Sequence, residues 1–249
     1  MNPPNLLIVA GLDPSGGAGL AADIEAATAL GVHPAPVATL ITVQDTINVA
    51  QVETLALELV VAQAEAVLAD MPVAAIKLGA LGTAAIGMAI ADLLVRHPGV
   101  PVVTDPVLAA AGGGVLAESE LVRVYRESLF PLSTLATPNR AELAALAPED
   151  GASELLALGL PACLVTDGEG RGDRIVHELH TERLRLINNG PRLKGSFHGS
   201  GCTLASAIAA RLALGDELED AVVHAGGFVQ EAIARAFRPG RGQMVPKRW

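Results

Sequence analysis

Short apolar runs of strand length alternate with longer runs of helical spacing along nearly all of the 249 residues, and this alternation constrains the fold most. Strands separated by helices of this length predict an α/β fold with a mainly parallel sheet that is covered on both faces. The predicted strands are 6–10, 36–42, 74–78, 100–104, 134–136 and 162–166, with an edge hairpin at 175–179 and 183–186. The predicted helices are 19–30, 55–70, 83–96, 121–129, 202–214 and 216–236.

The composition supports one large domain. Hydrophobic residues make up 51% of the chain and aromatic residues only 2%, so the predicted core is large and aliphatic. No Ser/Pro/Gly-rich or charged linker divides the sequence, and the length suits one large α/β domain. We therefore expect a single domain over residues 1–249.

The charge and the cysteine content exclude several classes of function. A net charge of −10 argues against a nucleic-acid partner, because phosphate backbones are bound by clustered Lys and Arg. The two cysteines give no disulfide framework, which suits a reducing compartment. No basic leader and no uninterrupted apolar run of membrane-spanning length is present. We expect a cytoplasmic protein with no membrane partner.

Polar segments follow the predicted strands at 11–13, 105, 137–139 and 166–168. In parallel α/β sheets, ligands bind beyond the carboxyl ends of the strands. The sequence therefore predicts one ligand site that draws on all four segments.

A Gly-rich loop opens the predicted helix at 202–214, with the sequence Gly199-Ser200-Gly201-Cys202. Glycines let consecutive N–H groups converge, and a helix N-terminus adds positive potential, so this loop is typical of an anion site. A thiol in the first helical turn has a lowered pKa, and Cys202 would then suit a general base. The alternative is an ordinary helix cap with an inert cysteine.

The segment 11–19 also joins a strand to a helix through glycines. Gly17, Gly19 and Ala22 match a loose dinucleotide-binding fingerprint, although the Asp-Pro-Ser insertion makes the turn longer and more polar than a pyrophosphate turn. The second interpretation is a substrate-binding loop in which Asp13 and Asp23 face a ligand. A third is a plain strand–helix connection.

Asn139 and Glu142 lie three residues apart at a predicted helix start. Their oxygens could order a hydrated Mg²⁺, or they could simply form a capping box. Asp105 lies at the end of an apolar strand, where a carboxylate is suited to a Mg²⁺ or phosphate site. The alternative is that Asp105 only initiates a turn. Gln44 follows another strand and could contact a polar heterocycle.

Five segments together resemble the hydroxymethylpyrimidine/phosphomethylpyrimidine kinases of thiamine biosynthesis, in order and spacing. They are GLDPSGGAGLAADI at 11–24, KLGALG at 77–82, TDPVL at 104–108, TPNRAE at 137–142 and HGSGCTLASAIAA at 198–210. The first and last are the most specific. The resemblance implies a ribokinase-like three-layer α/β/α sandwich, ATP as co-substrate, Mg²⁺ as cofactor and a homodimer.

The resemblance also implies roles for individual residues. Gly199, Ser200 and Gly201 would form an anion hole, with Cys202 as the base. The implied substrate-binding residues are Gly11, Asp13, Ala18, Asp23, Gln44, Ala80 and Val107. The implied ATP-binding residues are Asp105, Asn139, Glu142, Thr166 and Gly168, of which Asn139 and Glu142 would hold Mg²⁺ through water.

The chain departs from the family pattern at three places. Ala80 stands where the family usually has Met, residues 111–113 replace Lys-Ser-Gly, and 166–169 replace Lys-Gly-Gly-His. Two cationic groups near the phosphates are thereby lost, and Arg192 or Lys194 are candidates to replace them. The resemblance implies ATP-dependent phosphorylation of 4-amino-5-hydroxymethyl-2-methylpyrimidine and then of its monophosphate, and the lost cations bear on the second of these steps. The alternatives are a pyridoxal kinase, a pyrimidine-binding sensor protein and, from the weak fingerprint, an oxidoreductase.

Overall fold

The computed structural model describes residues 2–109, 116–168, 170, 172–183 and 185–249. Within this part of the chain, nine strands form one sheet in the order β3-β2-β1-β4-β5-β6-β7-β8-β9. The strands are β1 (Asn5–Leu12), β2 (His33–Gln44), β3 (Val49–Thr54), β4 (Val73–Leu78), β5 (Val102–Thr104), β6 (Leu135–Ala136), β7 (Ala162–Val165), β8 (Arg174–Thr181) and β9 (Arg185–Pro191).

The middle of the sheet is parallel and its two edges are antiparallel. β2, β1, β4, β5, β6 and β7 pair in parallel, whereas β3 pairs antiparallel with β2, and β8 and β9 extend the other edge antiparallel. The carboxyl ends of the six parallel strands therefore meet along one side of the molecule, and the polar segments that follow them are brought together there.

Helices cover both faces of the sheet, as the alternating sequence pattern predicts. They are α1 (Gly19–Ala29), α2 (Leu57–Asp70), α3 (Ala84–Val95), α4 (Ser119–Val124), α5 (Arg140–Leu146), α6 (Ala152–Ala157), α7 (Ser200–Ala213) and α8 (Leu218–Ala234). Within β1, Leu7 and Val9 belong to the core beneath α2 and α3, and Leu6 and Ile8 to the core beneath α7 and α8. Two aliphatic cores therefore enclose the sheet in three layers.

Several boundaries differ from the predictions. The predicted helix 121–129 is α-helical only to Val124 and continues as a π-helical turn, Tyr125–Leu129. The strand β3 was not predicted, because none of its side chains is buried and it has no apolar run. The second hairpin strand, β9, extends to Pro191, five residues beyond the predicted end at 186. No described helix is long and apolar enough to cross a membrane.

Candidate active site

A cavity of about 920 Å³ opens where the parallel strands end, at the side on which the sequence predicted a ligand site. Its walls come from the ends of β1, β2 and β4, from the loops after β5, β6 and β7, and from the start of α7. Fifteen of the sixteen predicted site residues line it: Gly11, Asp13, Ala18, Gln44, Ala80, Asp105, Val107, Asn139, Glu142, Thr166, Gly168, Gly199, Ser200, Gly201 and Cys202.

The Gly-rich loop before α7 has the backbone form that the sequence predicted for an anion site. Gly199 is the N-cap, and its left-handed φ of +76° is a conformation that L side chains rarely adopt. A Cβ at Gly199 would lie 2.0 Å from the Gly17 carbonyl oxygen, so no side chain fits there. The N-terminus of a 14-residue helix therefore opens into the cavity.

A buried group of charged side chains forms part of the cavity wall, where Lys77 and Asp105 line it and Asp23 lies behind them. The Lys77 Nζ, from β4, lies 2.9 Å from Asp23 Oδ2 and 3.8 Å from Asp105 Oδ2. Ser206 donates its hydroxyl to Asp23 Oδ1 over 2.7 Å. Burial alone would lower the pKa of Lys77, but Asp23, Cys202 and Asp105 together raise it above its ordinary value. The ammonium therefore stays charged, donates a hydrogen bond to Asp23 and faces Asp105 across a longer ion pair.

The position of Asp23 corrects one prediction. The sequence placed Asp23 against a ligand, but the side chain is fully buried under the cavity and does not line it. Its two oxygens are already bonded to Lys77 and Ser206. The reason is helical register, because Asp23 falls on the face of α1 that packs inward together with Leu20 and Ala27.

The Cys202 thiol also differs from expectation. The sequence predicted a lowered pKa at the helix N-terminus, whereas burial, opposed by Lys77 but reinforced by the Asp105 and Asp23 charges, raises the pKa of Cys202 to about 12. The Cys202 thiol and the Asp105 carboxylate lie close enough for each to shift the pKa of the other. Burial, with Asp23 acting in the same sense and Lys77 against it, raises the pKa of Asp105 to about 6. Near neutral pH, the thiol is protonated and Asp105 is the basic partner.

One carboxylate oxygen of Asp105, Oδ2, is buried and has no hydrogen-bond partner among the described residues. A carboxylate oxygen of this kind can accept a proton without first breaking a hydrogen bond.

On the opposite wall, His198 connects Asp13 with Gln44. The His198 Nε2 lies 2.8 Å from Asp13 Oδ2 and 2.9 Å from the Gln44 amide. Burial alone would raise the pKa of Asp13, but hydrogen bonds from His198 and Ser15 bring it below its ordinary value. The ionised Asp13 carboxylate can only accept hydrogen bonds, so the proton between the two side chains is on His198 Nε2. This N–H can also donate to Gln44 only if the amide oxygen of Gln44 faces it. The amide nitrogen of Gln44 then points toward the Thr42 hydroxyl.

The predicted capping box at the start of α5 is present. Asn139 Oδ1 accepts from the Glu142 N–H and Glu142 Oε2 accepts from the Asn139 N–H, each over 2.9 Å. Both side chains also line the cavity, so capping and ligand binding are compatible. Among the described residues, no three His, Cys, Asp or Glu side chains form a metal cage. Two oxygen donors without a cage fit a Mg²⁺ ion that keeps its waters and binds phosphates.

Of the two candidate replacement cations, Arg192 lines the cavity and Lys194 does not. The Arg192 guanidinium binds Asp167 Oδ2 over 2.7 Å and the carbonyl oxygen of Gly168 over 3.1 Å. It is therefore fixed beside the loop after β7. The departures at 111–113 and at 169 lie outside the described residues.

Two site residues were missed by sequence reasoning, although each left a signal. Lys77 interrupts an apolar strand, and a charge in a buried strand requires a partner. His198 directly precedes the Gly-rich loop and is 5% exposed, with one partner just after β1 and the other at the end of β2.

A second, smaller cavity of about 280 Å³ adjoins the first and shares Thr166, Gly168, Ser200 and Gly201 with it. Its far wall is α8, where Gly226 and Gly227 leave the helix surface without side chains. The two cavities together form an elongated site that passes the N-terminus of α7.

Comparison with known proteins places this geometry in a family. The family model of phosphomethylpyrimidine kinase matches residues 13–247. The hydroxymethylpyrimidine/phosphomethylpyrimidine kinase of Rhizobium meliloti is 38% identical over 95% of this chain and 93% of its own.

Two solved structures share the fold. A phosphomethylpyrimidine kinase from Clostridium difficile has a TM-score of 0.80 at 32% identity and covers 93% of this chain and 99% of its own. An ADP complex of Bacillus subtilis pyridoxal kinase has a TM-score of 0.91 at 28% identity, with 98% and 97% covered. The predicted ribokinase-like α/β fold and the predicted family are thereby confirmed: the chain belongs to the phosphomethylpyrimidine kinase family and is a kinase.

Proposed function

We propose that this protein transfers the γ-phosphoryl group of ATP to the hydroxymethyl group of 4-amino-5-hydroxymethyl-2-methylpyrimidine, and then to the resulting monophosphate, in thiamine biosynthesis. The observation that carries this proposal is that one cavity contains the N-terminus of α7, the Cys202–Asp105 pair and the polar wall of Asp13, His198 and Gln44. An anion site, a proton acceptor and a heterocycle-binding wall are the three parts that phosphorylation of such an alcohol needs.

The two substrates would occupy opposite ends of the elongated site. The pyrimidine would lie against Gln44, whose amide offers both a donor and an acceptor to ring nitrogen and amino groups. ATP would extend past Thr166 and Gly168, with its adenine in the smaller cavity beside Gly226 and Gly227. The γ-phosphate then meets the alcohol at the N-terminus of α7, where backbone N–H groups stabilise the transferring group.

The proton of the alcohol would end on Asp105. As the alcohol oxygen bonds to the γ-phosphorus, its proton moves to the Cys202 sulfur, and the thiol proton moves to the Asp105 carboxylate. ADP leaves with the electron pair of the broken P–O bond. This relay needs no free thiolate, which burial disfavours at Cys202. The Lys77 ammonium, 3.8 Å from Asp105 Oδ2, would offset the charge of this carboxylate.

Asn139 and Glu142 are the residues that would hold Mg²⁺, through its waters. When bound, this ion would supply positive charge that screens the ATP phosphates from one another. The capping box fixes both side chains before any ligand arrives.

For the second phosphorylation, Arg192 is the candidate partner of the additional phosphate. It lines the cavity and is only 15% exposed, so its charge is less screened by water than that of a surface arginine. The Nη1 and Nη2 hydrogens of Arg192 already have acceptors on Asp167, Gly168 and Arg174, so one of these bonds would have to be exchanged for a bond to the added phosphate.

Pyridoxal is the second candidate substrate, because the pyridoxal kinase of Bacillus subtilis has a TM-score of 0.91 to this chain, against 0.80 for the Clostridium difficile phosphomethylpyrimidine kinase. The sequence identities run the other way, at 28% and 32%. Measuring kcat/KM for both alcohols with Mg²⁺-ATP tests the assignment. A higher value for the hydroxymethylpyrimidine supports our proposal, a higher value for pyridoxal contradicts the substrate, and binding without turnover favours a sensor.

Three broader expectations stay proposals: a single domain over 1–249, a cytoplasmic location and a homodimer. Both cysteines are free, as a reducing compartment requires. On the β2 side of the sheet, Ile41 and Val43 are exposed apolar side chains of the kind that subunit contacts cover. Sedimentation equilibrium would test the dimer.

A further inference from the structure

Arg248 is the largest fully buried side chain among the described residues, yet it lies far in sequence from every residue that it binds. Its guanidinium donates to the Gly17 carbonyl oxygen over 2.6 Å, to Thr203 Oγ1 over 2.8 Å and to Glu25 Oε2 over 2.8 Å. One side chain thus connects the 13–19 loop, the first turn of α7 and the middle of α1.

Arg248 and Asp13 together hold the peptide unit between Gly17 and Ala18 in one orientation. The carbonyl oxygen of the Gly17–Ala18 peptide is held by Arg248, and its N–H, on Ala18, donates to Asp13 Oδ2 over 2.9 Å. Both ends of this peptide therefore have partners, and it cannot rotate without breaking at least one charge-assisted hydrogen bond. Asp13 and Ala18 line the cavity, so the orientation of this peptide shapes the substrate wall.

The same peptide touches the anion site. An added Cβ at Gly199 would lie 2.0 Å from the Gly17 oxygen, which shows how closely the two backbones approach. On the α7 side, Thr203 accepts from Arg248 and donates its own hydroxyl to the Gly199 carbonyl oxygen over 2.7 Å. Arg248 therefore reaches Gly17 directly and Gly199 through Thr203.

We propose that Arg248 is a positioning residue for phosphoryl transfer, which sets the spacing between the substrate loop at 13–19 and the anion site at 199–202. The inference rests on the proposed kinase function. Arg248 does not line the cavity, so it acts through Gly17 and Thr203 rather than on the substrates. In-line transfer depends steeply on the distance between alcohol and γ-phosphate, and a misplacement near 1 Å can cost about a hundredfold in rate.

The chain around Arg248 is anchored well enough to act as a fixed support. The Met244 carbonyl oxygen accepts from the His198 N–H over 2.8 Å, and the Met244 N–H donates to the Ser196 carbonyl oxygen over 2.9 Å. The Lys247 N–H donates to the Ala232 carbonyl oxygen on α8 over 2.9 Å. The 244–248 segment is thus tied both to the loop that leads into the anion site and to α8.

The test compares Arg248→Met with a matched control, Glu25→Gln. Both changes disturb the same guanidinium cluster, but Glu25 lies on the α1 side, away from the cavity. We expect Arg248→Met to lower kcat by about tenfold to a hundredfold, with the KM for ATP changed by less than about threefold. Glu25→Gln should lower the melting temperature and keep the wild-type kcat. Arg248→Ala should regain part of its kcat when millimolar guanidinium is added, whereas Arg248→Met should not.

The outcomes separate the inference from the proposed function. A wild-type protein without turnover would contradict the kinase proposal itself. An active wild type with an unchanged kcat in folded Arg248→Met would overturn the positioning role alone, as would equal loss of kcat in Glu25→Gln. If Arg248→Met does not fold, Thr203→Val decides, because it breaks the same link with a side chain of similar shape. A wild-type kcat in Thr203→Val would then reject the inference.

Discussion

The dependence of kcat on pH reports which group finally takes the proton of the alcohol. Because the pKa of Asp105 is raised to about 6, this carboxyl is mostly ionised at pH 7.5. The pKa of Cys202 is raised to about 12, so the thiol is almost entirely protonated at that pH. The two groups therefore predict different profiles over the accessible pH range.

If Asp105 is the final acceptor, kcat is constant above about pH 7 and falls about tenfold per unit below about pH 6, because protonated Asp105 cannot accept. If a Cys202 thiolate were the base, kcat would instead rise about tenfold per unit up to about pH 12. A coupled assay of ADP release at saturating Mg²⁺-ATP and alcohol, run from acid to alkaline pH, separates the two.

The matched variant is Asp105→Asn, which keeps the shape of the side chain and removes the acceptor. We expect kcat to fall by about a hundredfold to ten-thousandfold, the usual contribution of a general base. The acid limb should vanish as well. A limb that persists in Asp105→Asn would belong to another titrating group, such as the terminal phosphate of the nucleotide. That result, or a wild-type kcat that rises throughout the alkaline range, would refute the Asp105 assignment.

Three further predictions concern other parts of the site. Cys202→Ala should lower kcat by about a hundredfold or more with little change in ATP binding, measured by steady-state kinetics and calorimetry, and a wild-type kcat would remove Cys202 from the mechanism. Lys77→Met leaves the buried Asp23 carboxylate without its cationic partner. We expect the free energy of unfolding, measured by urea titration, to fall by about 3–5 kcal/mol. The double variant Lys77→Met/Asp23→Asn should recover part of this loss. Gln44→Ala should raise the KM for the alcohol about tenfold or more while the KM for ATP stays constant; an unchanged KM for the alcohol would exclude Gln44 from substrate recognition.

Most of the cavity wall could be predicted because its position follows from topology. Once the strands are known to be parallel, residues that follow them, such as Asp105 and Thr166, must lie along one edge of the sheet. The Gly-rich start of α7 is a local feature of the sequence, and its backbone form followed from the glycines.

The errors have a common cause, which is that they depend on contacts between distant segments. Asp23 was placed on the cavity wall because the sequence does not reveal which face of α1 meets the sheet. The pKa of Cys202 was expected to fall because the position of a residue within a helix can be read from the local sequence. Its burial beside Asp105 and Asp23, which raises the pKa, depends on distant segments and cannot be read in this way. Arg248 left no sequence signal, since its partner Gly17 is 231 residues away.

The most direct test of the proposed chemistry is a phosphorylation assay on 4-amino-5-hydroxymethyl-2-methylpyrimidine with Mg²⁺-ATP, with the products resolved by mass. We expect the monophosphate to form first and then to be converted to the diphosphate, with Arg192 serving the second step. Monophosphate alone would contradict the role of Arg192 and the second phosphorylation. No product from a folded protein that still binds the alcohol and ATP would contradict the proposed function itself.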